Sequence, residues 1–553
     1  MRRVVALVTV VSALSPALAR ADDAPAPVAP PEPPAATAPV ASIPVDPAPS
    51  AKAAAAEFSS LRLLREKGVI TAAEYDAALR DMGASVGSLA ADAPTLVVGR
   101  WSTTLYGFVE TDLIADSTQS FADQAGNGQV QRQNGDVLPL PYVQNTYAGD
   151  HGRTQFSVRN SRFGLQLRAP EAAGVRGSAT LEMDFLGFDP SLDPSINNRG
   201  ETVYPYATGG SEAGFWNNPT MRLRQAYMKI ETPIVDITVG QTWHIFGWQP
   251  VFHPNTVQIQ GVPGELYART AQVRLSKRIE LGPTTLELAA AALRPPQRNS
   301  MMPELSGGLR FSIDRLTGMQ TQGSTGTGLS PASIAVSGTM RNFALPNFEQ
   351  VPKNSVAITT GAVAVDAFIP LIPATKGHEG NSLSLTGQFV MGGGIGDMFT
   401  GMQSGMTFPS LPNTTGVNPP PAYPQDIENG LVVYDTKTFD LHPIQWTAIM
   451  GGVQYYLPGL AGRVWLAGNY SHIASPNIAA YTRNDSSAPS PNEYNYAPAA
   501  LVRESEDWFD ACAFVDPTPA LRLGLEYAHY DDKFADGKHA INHRAQVSGF
   551  FRF

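Results

Sequence analysis

The chain has a single cysteine, Cys512, in 553 residues. No intrachain disulfide can form, and a zinc site built on cysteines is excluded. Charge is scarce as well: 16% of residues are Asp, Glu, Lys or Arg, against about 25% in a typical soluble protein. The formal net charge is −10, with no block rich in Lys and Arg, which argues against nucleic-acid binding. Past the N-terminal segment, no apolar run reaches the roughly 18 residues that a transmembrane helix needs. Acid-rich pieces at 184–193 and 531–532 lack the spacing of calcium or zinc ligands, so neither a metal nor a cofactor is expected. His529 and Tyr530 close one candidate strand without a Ser or Asp partner at any telling spacing, and no enzyme is expected. Mean hydropathy is only −0.12. Low charge without high hydropathy fits a chain whose alternate residues meet lipid and water, because the two faces average out.

The N-terminus carries the signs of export. Arg2 and Arg3 precede an apolar stretch over 4–14, and small-x-small sites follow at 17–19 and 19–21. Residues 1–21 therefore read as a signal peptide. Residues 22–57 are rich in Ala and Pro and read as an extended periplasmic leader. In residues 58–82, Phe58, Leu61 and Leu64 fall at helical spacing, and Thr71 to Glu74 forms a capping box for a second helix. This two-helix hairpin is too small to fold alone. The segment LREKGVITAAEYDAAL resembles short bihelical oligomerisation modules, which implies a trimerising or cell-wall-facing element; the alternative is a weakly ordered hairpin on a tether. A linker over 83–102 follows.

From Thr103 to the end, residues 103–553, apolar and polar residues alternate with period two. Sixteen candidate strands can be marked. The first sets Leu105, Val109 and Leu113 against Tyr106, Glu110 and Asp112. The second sets Phe163, Leu165 and Leu167 against Arg162, Gln166 and Arg168. The third sets Leu181, Met183 and Phe185 against Glu182 and Asp184. The fourth carries Arg222 and Arg224 on one face. The fifth sets Val235, Ile237, Val239 and Trp243 against Asp236, Thr238, Thr242 and His244. The sixth and seventh lie near 268–279 and 284–293. The eighth and ninth flank a Gly/Thr/Ser-rich link at 315–331. The tenth and eleventh cover 354–369 and 381–392, and the last five begin near 443, 462, 506, 520 and 540. Fourteen or eighteen strands are the alternative counts.

Short connections at 170–174, 232–233, 282–283, 459–462 and 517–519 alternate with long ones at 117–152, 189–219, 244–267, 393–441 and 475–505. This asymmetry marks a transmembrane β-barrel with turns in the periplasm and loops outside. Trp101, Trp243, Tyr455, Tyr456, Tyr527, Phe551 and Phe553 sit near strand ends, as interfacial aromatic girdles require. The last strand alternates from Ala540 and closes on Phe553. A terminal aromatic of this kind resembles the assembly signal of bacterial outer-membrane barrels, and implies the barrel-assembly machinery as a partner through Phe553.

The polar faces would line a lumen. An Arg on the lipid face at mid-bilayer costs about 2–4 kcal/mol, which turns Arg162, Arg168, Arg222, Arg224, Arg274 and Arg278 inward. Even-numbered strands run in one direction, so these arginines can form one basic stripe. Glu110, Asp112, Glu182, Asp184 and Asp236 stand on the odd strands beside it. Arg binds carboxylate and phosphate with two parallel hydrogen bonds. The expectation is a preference for small anionic solutes; the alternative is that the charges pair in the wall and only keep the lumen wet. The third long loop, 244–267, has His244, Phe246, Trp248, Phe252 and His253 and no acid before Glu265. Folded inward, it would form an aromatic, neutral constriction; otherwise it packs on the rim.

The segments TLYGFVETDLIAD (104–116), RNSRFGLQLRAP (159–170), MRLRQAYMKI (221–230) and GQTWHIFGWQP (240–250) resemble DcaP-like and related Gram-negative porins. The likeness covers about 103–281; beyond that, strand rhythm and the terminal Phe carry it. It implies a homotrimer of sixteen-stranded barrels in the outer membrane with a helical segment ahead of the barrel. It also implies uptake of small anions, including dicarboxylates, past Arg162, Arg168, Arg222 and Arg224. Competing readings are a sugar or phosphate channel, favoured if Trp446, Trp465 and Trp508 form a lumenal track, and a structural tether or adhesin.

Overall fold

The computed structural model of the chain describes residues 95–98, 101–118, 151–187, 220–400 and 427–553, apart from short breaks and 484–496, with small strand pairs inside 131–141 and 195–203. The expected signal peptide, leader and helical hairpin lie outside the described residues.

Among the described residues, sixteen strands close one antiparallel barrel. The first seven are β1 (Trp101–Asp116), β2 (Arg153–Ser157 and Arg162–Arg168), β3 (Arg176–Gly187), β4 (Thr220–Glu231), β5 (Asp236–Trp243), β6 (Arg269–Leu281) and β7 (Thr284–Leu293). Then come β8 (Glu304–Gln322), β9 (Gly326–Pro346), β10 (Ser355–Ile372), β11 (Ser382–Gly393) and β12 (Gln445–Tyr456). The last four are β13 (Val464–Ala474), β14 (Arg503–Thr518), β15 (Leu521–Phe534) and β16 (His539–Arg552). Each strand pairs with the next, and β16 pairs with β1 from Phe108↔Arg552 to Asp116↔Arg544. Phe553 extends that seam: its N–H donates to the Gly107 carbonyl at 3.0 Å, and the Gly107 N–H donates back at 2.9 Å. A Cβ at Gly107 would lie 2.2 Å from the Arg162 carbonyl oxygen, so the seam needs glycine there.

Period-two alternation sorts the side chains. Leu105, Val109 and Leu113 are exposed on the outside, and Glu110 and Asp112 are buried inside. The same outward apolar face runs round the wall, through Leu181, Leu275, Leu309, Ile449 and Leu525. A belt of exposed large apolar side chains on a closed barrel is the surface that lipid covers. The connections are mostly short at one end and long at the other; 535–538, between β15 and β16, is a short exception at the long end.

Three local departures position the lumen. The second strand breaks at 158–161, and this kink carries Asn160 and Ser161 onto Glu110: Asn160 Nδ2 donates to Glu110 Oε2 at 2.7 Å. The fourth strand slips register between Leu223 and Gln225, a β-bulge that buries Arg224 and Gln225 side by side. The Gly/Thr/Ser-rich link at 315–331 is no loop. After a register break at Ile313, residues 317–331 pair with one another as a continuation of β8 and β9.

Candidate functional site

The site grows from the shortness of β5. This strand has eight residues, so the chain leaves the wall at Trp243 low in the barrel, opposite Arg269. The loop from His244 to Ala268 then runs across the lumen. Its apolar side chains Ile245, Phe246, Trp248, Phe252, Val257 and Leu266 are buried against the wall. Gly247 permits the bend: its φ is +77°, and a Cβ would lie 2.7 Å from Leu266 Cδ1.

Hydrogen bonds pin the loop from side to side. The Gly247 N–H donates to Ser337 Oγ of β9 at 2.8 Å, and the Leu266 N–H donates to Gln388 Oε1 of β11 at 3.0 Å. Trp465 Nε1 of β13 donates to Asn255 Oδ1 at 2.7 Å. On β15, Glu526 Oε2 accepts from Thr256 Oγ1 at 2.8 Å and from the N–H groups of Val257 at 2.6 Å and Gln258 at 2.8 Å. Tyr530 Oη donates to Gln258 Oε1 at 2.6 Å. Glu526, Gln388 and Asn255 were missed as site residues in the sequence because their partners lie far away along the chain.

The constriction-loop candidates divide. His244 lies against the wall, 3.1 Å from Glu304 Oε1, and accepts from the Phe246 N–H. Phe246, Trp248 and Phe252 are buried anchors and do not border the passage. Trp243, His253 and Tyr267 supply the aromatic edge in their place. His253 borders the passage with Thr256, Gln258 and Tyr267. Trp243 is also corrected. Parity with Val239 places it toward lipid, but its ring meets His253 at 5.0 Å and Tyr267 at 4.8 Å, inside. Tyr456, expected at an interface, is buried in the lumen and stacks on Trp465 at 5.5 Å.

Between this loop and the wall of β2 to β5 lies a cavity of about 180 Å³, bordered by Arg162, Glu182, Gln225, Trp243, His253 and Tyr267. Arg162 borders it, and Arg222, Arg224 and Arg269 stand behind its lining residues Glu182, Trp243 and Tyr267. Arg222 holds Asp184 with two bonds, Nε to Oδ1 at 3.0 Å and Nη2 to Oδ2 at 2.7 Å. Arg224 reaches Glu182 Oε1 at 2.7 Å, Asp184 Oδ2 at 3.0 Å and Tyr267 Oη at 3.3 Å. Arg162 lies over the Phe108 ring at 5.1 Å. Arg269, which parity did not single out, lies over Trp243 at 4.8 Å and Tyr267 at 5.1 Å. Among the described residues neither Arg162 nor Arg269 makes an ion pair, and Arg162 Nε and Arg269 Nη1 are buried donors without an acceptor.

Charge at the loop's own residues follows from these neighbours. Burial raises the Tyr267 phenol, but Arg224, Arg269 and Arg162 outweigh it and bring its pKa down to about 7. Burial, with Arg269 and Arg224, lowers the His253 imidazole to about 3, so it is neutral. Burial raises Glu265 well above the carboxylate range.

The remaining predicted residues lie elsewhere. The register Arg168↔Ser178↔Lys229↔Thr238↔Arg274 puts Arg168, Lys229 and Arg274 on a second rung toward the short-connection end. Arg278 lies further along β6 and bonds Thr285 Oγ1 at 3.4 Å. The six arginines thus occupy separate levels and do not form one stripe. Asp236 pairs with Lys229 at 3.3 Å. Glu110 is held by Asn160, and Asp112 by Gln546 at 3.1 Å and Ser548 at 2.5 Å.

No protein-family model and no curated protein sequence matches the chain. Among solved structures, it is similar to the outer membrane channel DcaP of Acinetobacter baumannii. The identity is 15% over 82% of this chain and 97% of that one, with a TM-score of 0.51. OmpT of Vibrio cholerae follows at 10% identity, covering 83% of this chain and all (100%) of that one, with a TM-score of 0.40. An anion-selective porin from Comamonas acidovorans is 9% identical over 82% and 100% of the two chains, with a TM-score of 0.40. At 15% identity the DcaP likeness shows a shared fold.

Proposed function

We propose that the chain is a porin of a Gram-negative outer membrane, a passive diffusion channel for small hydrophilic solutes with a preference for anions such as carboxylates. The observation that carries this reading is the pair Arg162 and Arg269. Glu182 and Asp184 are already held by Arg222 and Arg224. Arg162 keeps a buried donor free at the cavity, and Arg269 keeps one behind the Trp243 and Tyr267 rings that border it. Orphaned guanidinium donors beside a polar cavity attract carboxylate or phosphate oxygens. The closed barrel with its apolar belt supports the membrane setting.

A sugar channel is less well supported. Trp446, Trp465 and Trp508 are each at most 1% exposed. Trp465 is sandwiched between Tyr456 and Phe514, at 5.5 and 5.0 Å. Buried rings offer no face to a passing sugar. The homotrimer, the role of residues 58–82 and recognition of Phe553 by assembly machinery belong to the same proposal.

Liposome swelling with the refolded full chain tests the reading. Small carboxylates should enter faster than neutral sugars of equal size. Equal rates would remove the anion preference, and no swelling with any solute would remove the channel.

A further inference from the structure

The long-connection end supplies one inward element, the loop 244–268. The opposite end supplies another. Strand β8 runs past its last rung with β7, Ile313↔Thr284, and residues 317–331 of β8 and β9 then pair only with each other in the sheet. The tip of this hairpin turns into the barrel. The Ser384 Oγ of β11 donates to the Met319 carbonyl at 2.6 Å. The Thr321 N–H donates to Gln454 Oε1 at 2.8 Å, and Gln454 Nε2 donates back to the Thr321 carbonyl at 2.9 Å. Thr321 Oγ1 is 2.7 Å from Tyr456 Oη, and Arg522 Nη2 of β15 donates to Thr327 Oγ1 at 2.7 Å. These partners belong to the inner faces of β11, β12 and β15.

The two inward elements meet. The Gly323 N–H donates to the Pro254 carbonyl at 3.0 Å, and Asn255 Nδ2 donates to the Gly323 carbonyl at 2.8 Å. Gln320 Nε2 and Gln322 Nε2 both donate to the Val251 carbonyl, at 3.0 and 2.9 Å. Gln322, Gly323 and Gly326 also border the cavity below Arg162 and Tyr267.

The chemistry of the tip matters. Residues 320–330 read QTQGSTGTGLS. A segment built to fill a core would be apolar; this one is small and polar, and only its root, Met319, joins an apolar cluster. Such an edge keeps a passage wet while narrowing it.

We propose that the β8–β9 tip is a second, periplasmic constriction that meets the loop 244–268 and sets the channel's size limit, while the arginines set its charge preference. The inference rests on the channel reading above. Ile313 and Ala332 already face each other, so a two-residue turn can replace 314–331. Planar-bilayer recording of that variant should show conductance higher by roughly twofold or more with an unchanged reversal potential. Unchanged conductance would overturn the proposal.

A second variant leaves the hairpin whole. A Cβ at Gly326 meets only the Gln322 carbonyl, at 3.6 Å, so Gly326→Cys should fold. A water-soluble thiol reagent should then cut its conductance by roughly half or more and leave the wild type, with its buried Cys512, unchanged. No effect on the variant would contradict the proposal. A silent wild type with a conducting shortened variant would support the constriction and overturn the open-channel reading. Silence from both would overturn both.

Discussion

Tyr267 reports the electrostatics of the passage. Its phenol is brought down to about 7 by Arg224, Arg269 and Arg162 against the opposing effect of burial. Below that pH it is neutral. Above it, a negative charge appears among the arginines. Anion preference should therefore be strongest near pH 6 and fall toward pH 8, and Tyr267→Phe should flatten the dependence. Reversal potentials at a series of pH values check this, and an equal slope in the variant would sink it. Arg222 has a different role. Arg222→Ala leaves the buried Asp184 with Arg224 as its remaining ion-pair partner, a loss of about 1–3 kcal/mol, seen as a lower thermal unfolding midpoint. Parity made Arg162, Arg222 and Arg224 legible as inward residues. It could not reveal Arg269 or Tyr267, which owe their place to where the loop rejoins the wall.

At the scale of elements, the sixteen strands were legible because lipid and water impose period two on every one of them. The bulge at Arg224 was not, since an extra residue in a strand leaves no mark in the alternation. Nor was the inward course of the loop. Its aromatics fit a rim or a lumen equally well; the eight-residue β5 and partners such as Glu526 decide the matter. Glu526→Ala removes the acceptor for three donors and should cost about 1–3 kcal/mol. The freed loop tip should give larger and noisier single-channel currents. Quiet currents of wild-type size would show that the remaining anchors suffice. The β8–β9 hairpin was read as a polar link because its Gly, Thr and Ser residues show no apolar alternation; its strand form comes from pairing with itself.

For the whole molecule, closure depends on the seam between β1 and β16. Phe553 adds the last rung, through two hydrogen bonds with Gly107. Deleting Phe553 should lower the yield of the compact, heat-modifiable barrel on gel electrophoresis; an unchanged yield would contradict a role in closure. The apolar belt, the closed wall and the loop-narrowed lumen together support the proposed channel. The two arginines that no carboxylate holds carry the proposed anion preference. The measurement that tests it most directly is the zero-current potential of single channels under a salt gradient, for the wild type and for Arg162→Ala/Arg269→Ala. A wild-type reversal on the anion side, moving toward the neutral value in the double variant, is the predicted result. A cation-side reversal, or an anion preference that survives both substitutions, would contradict it.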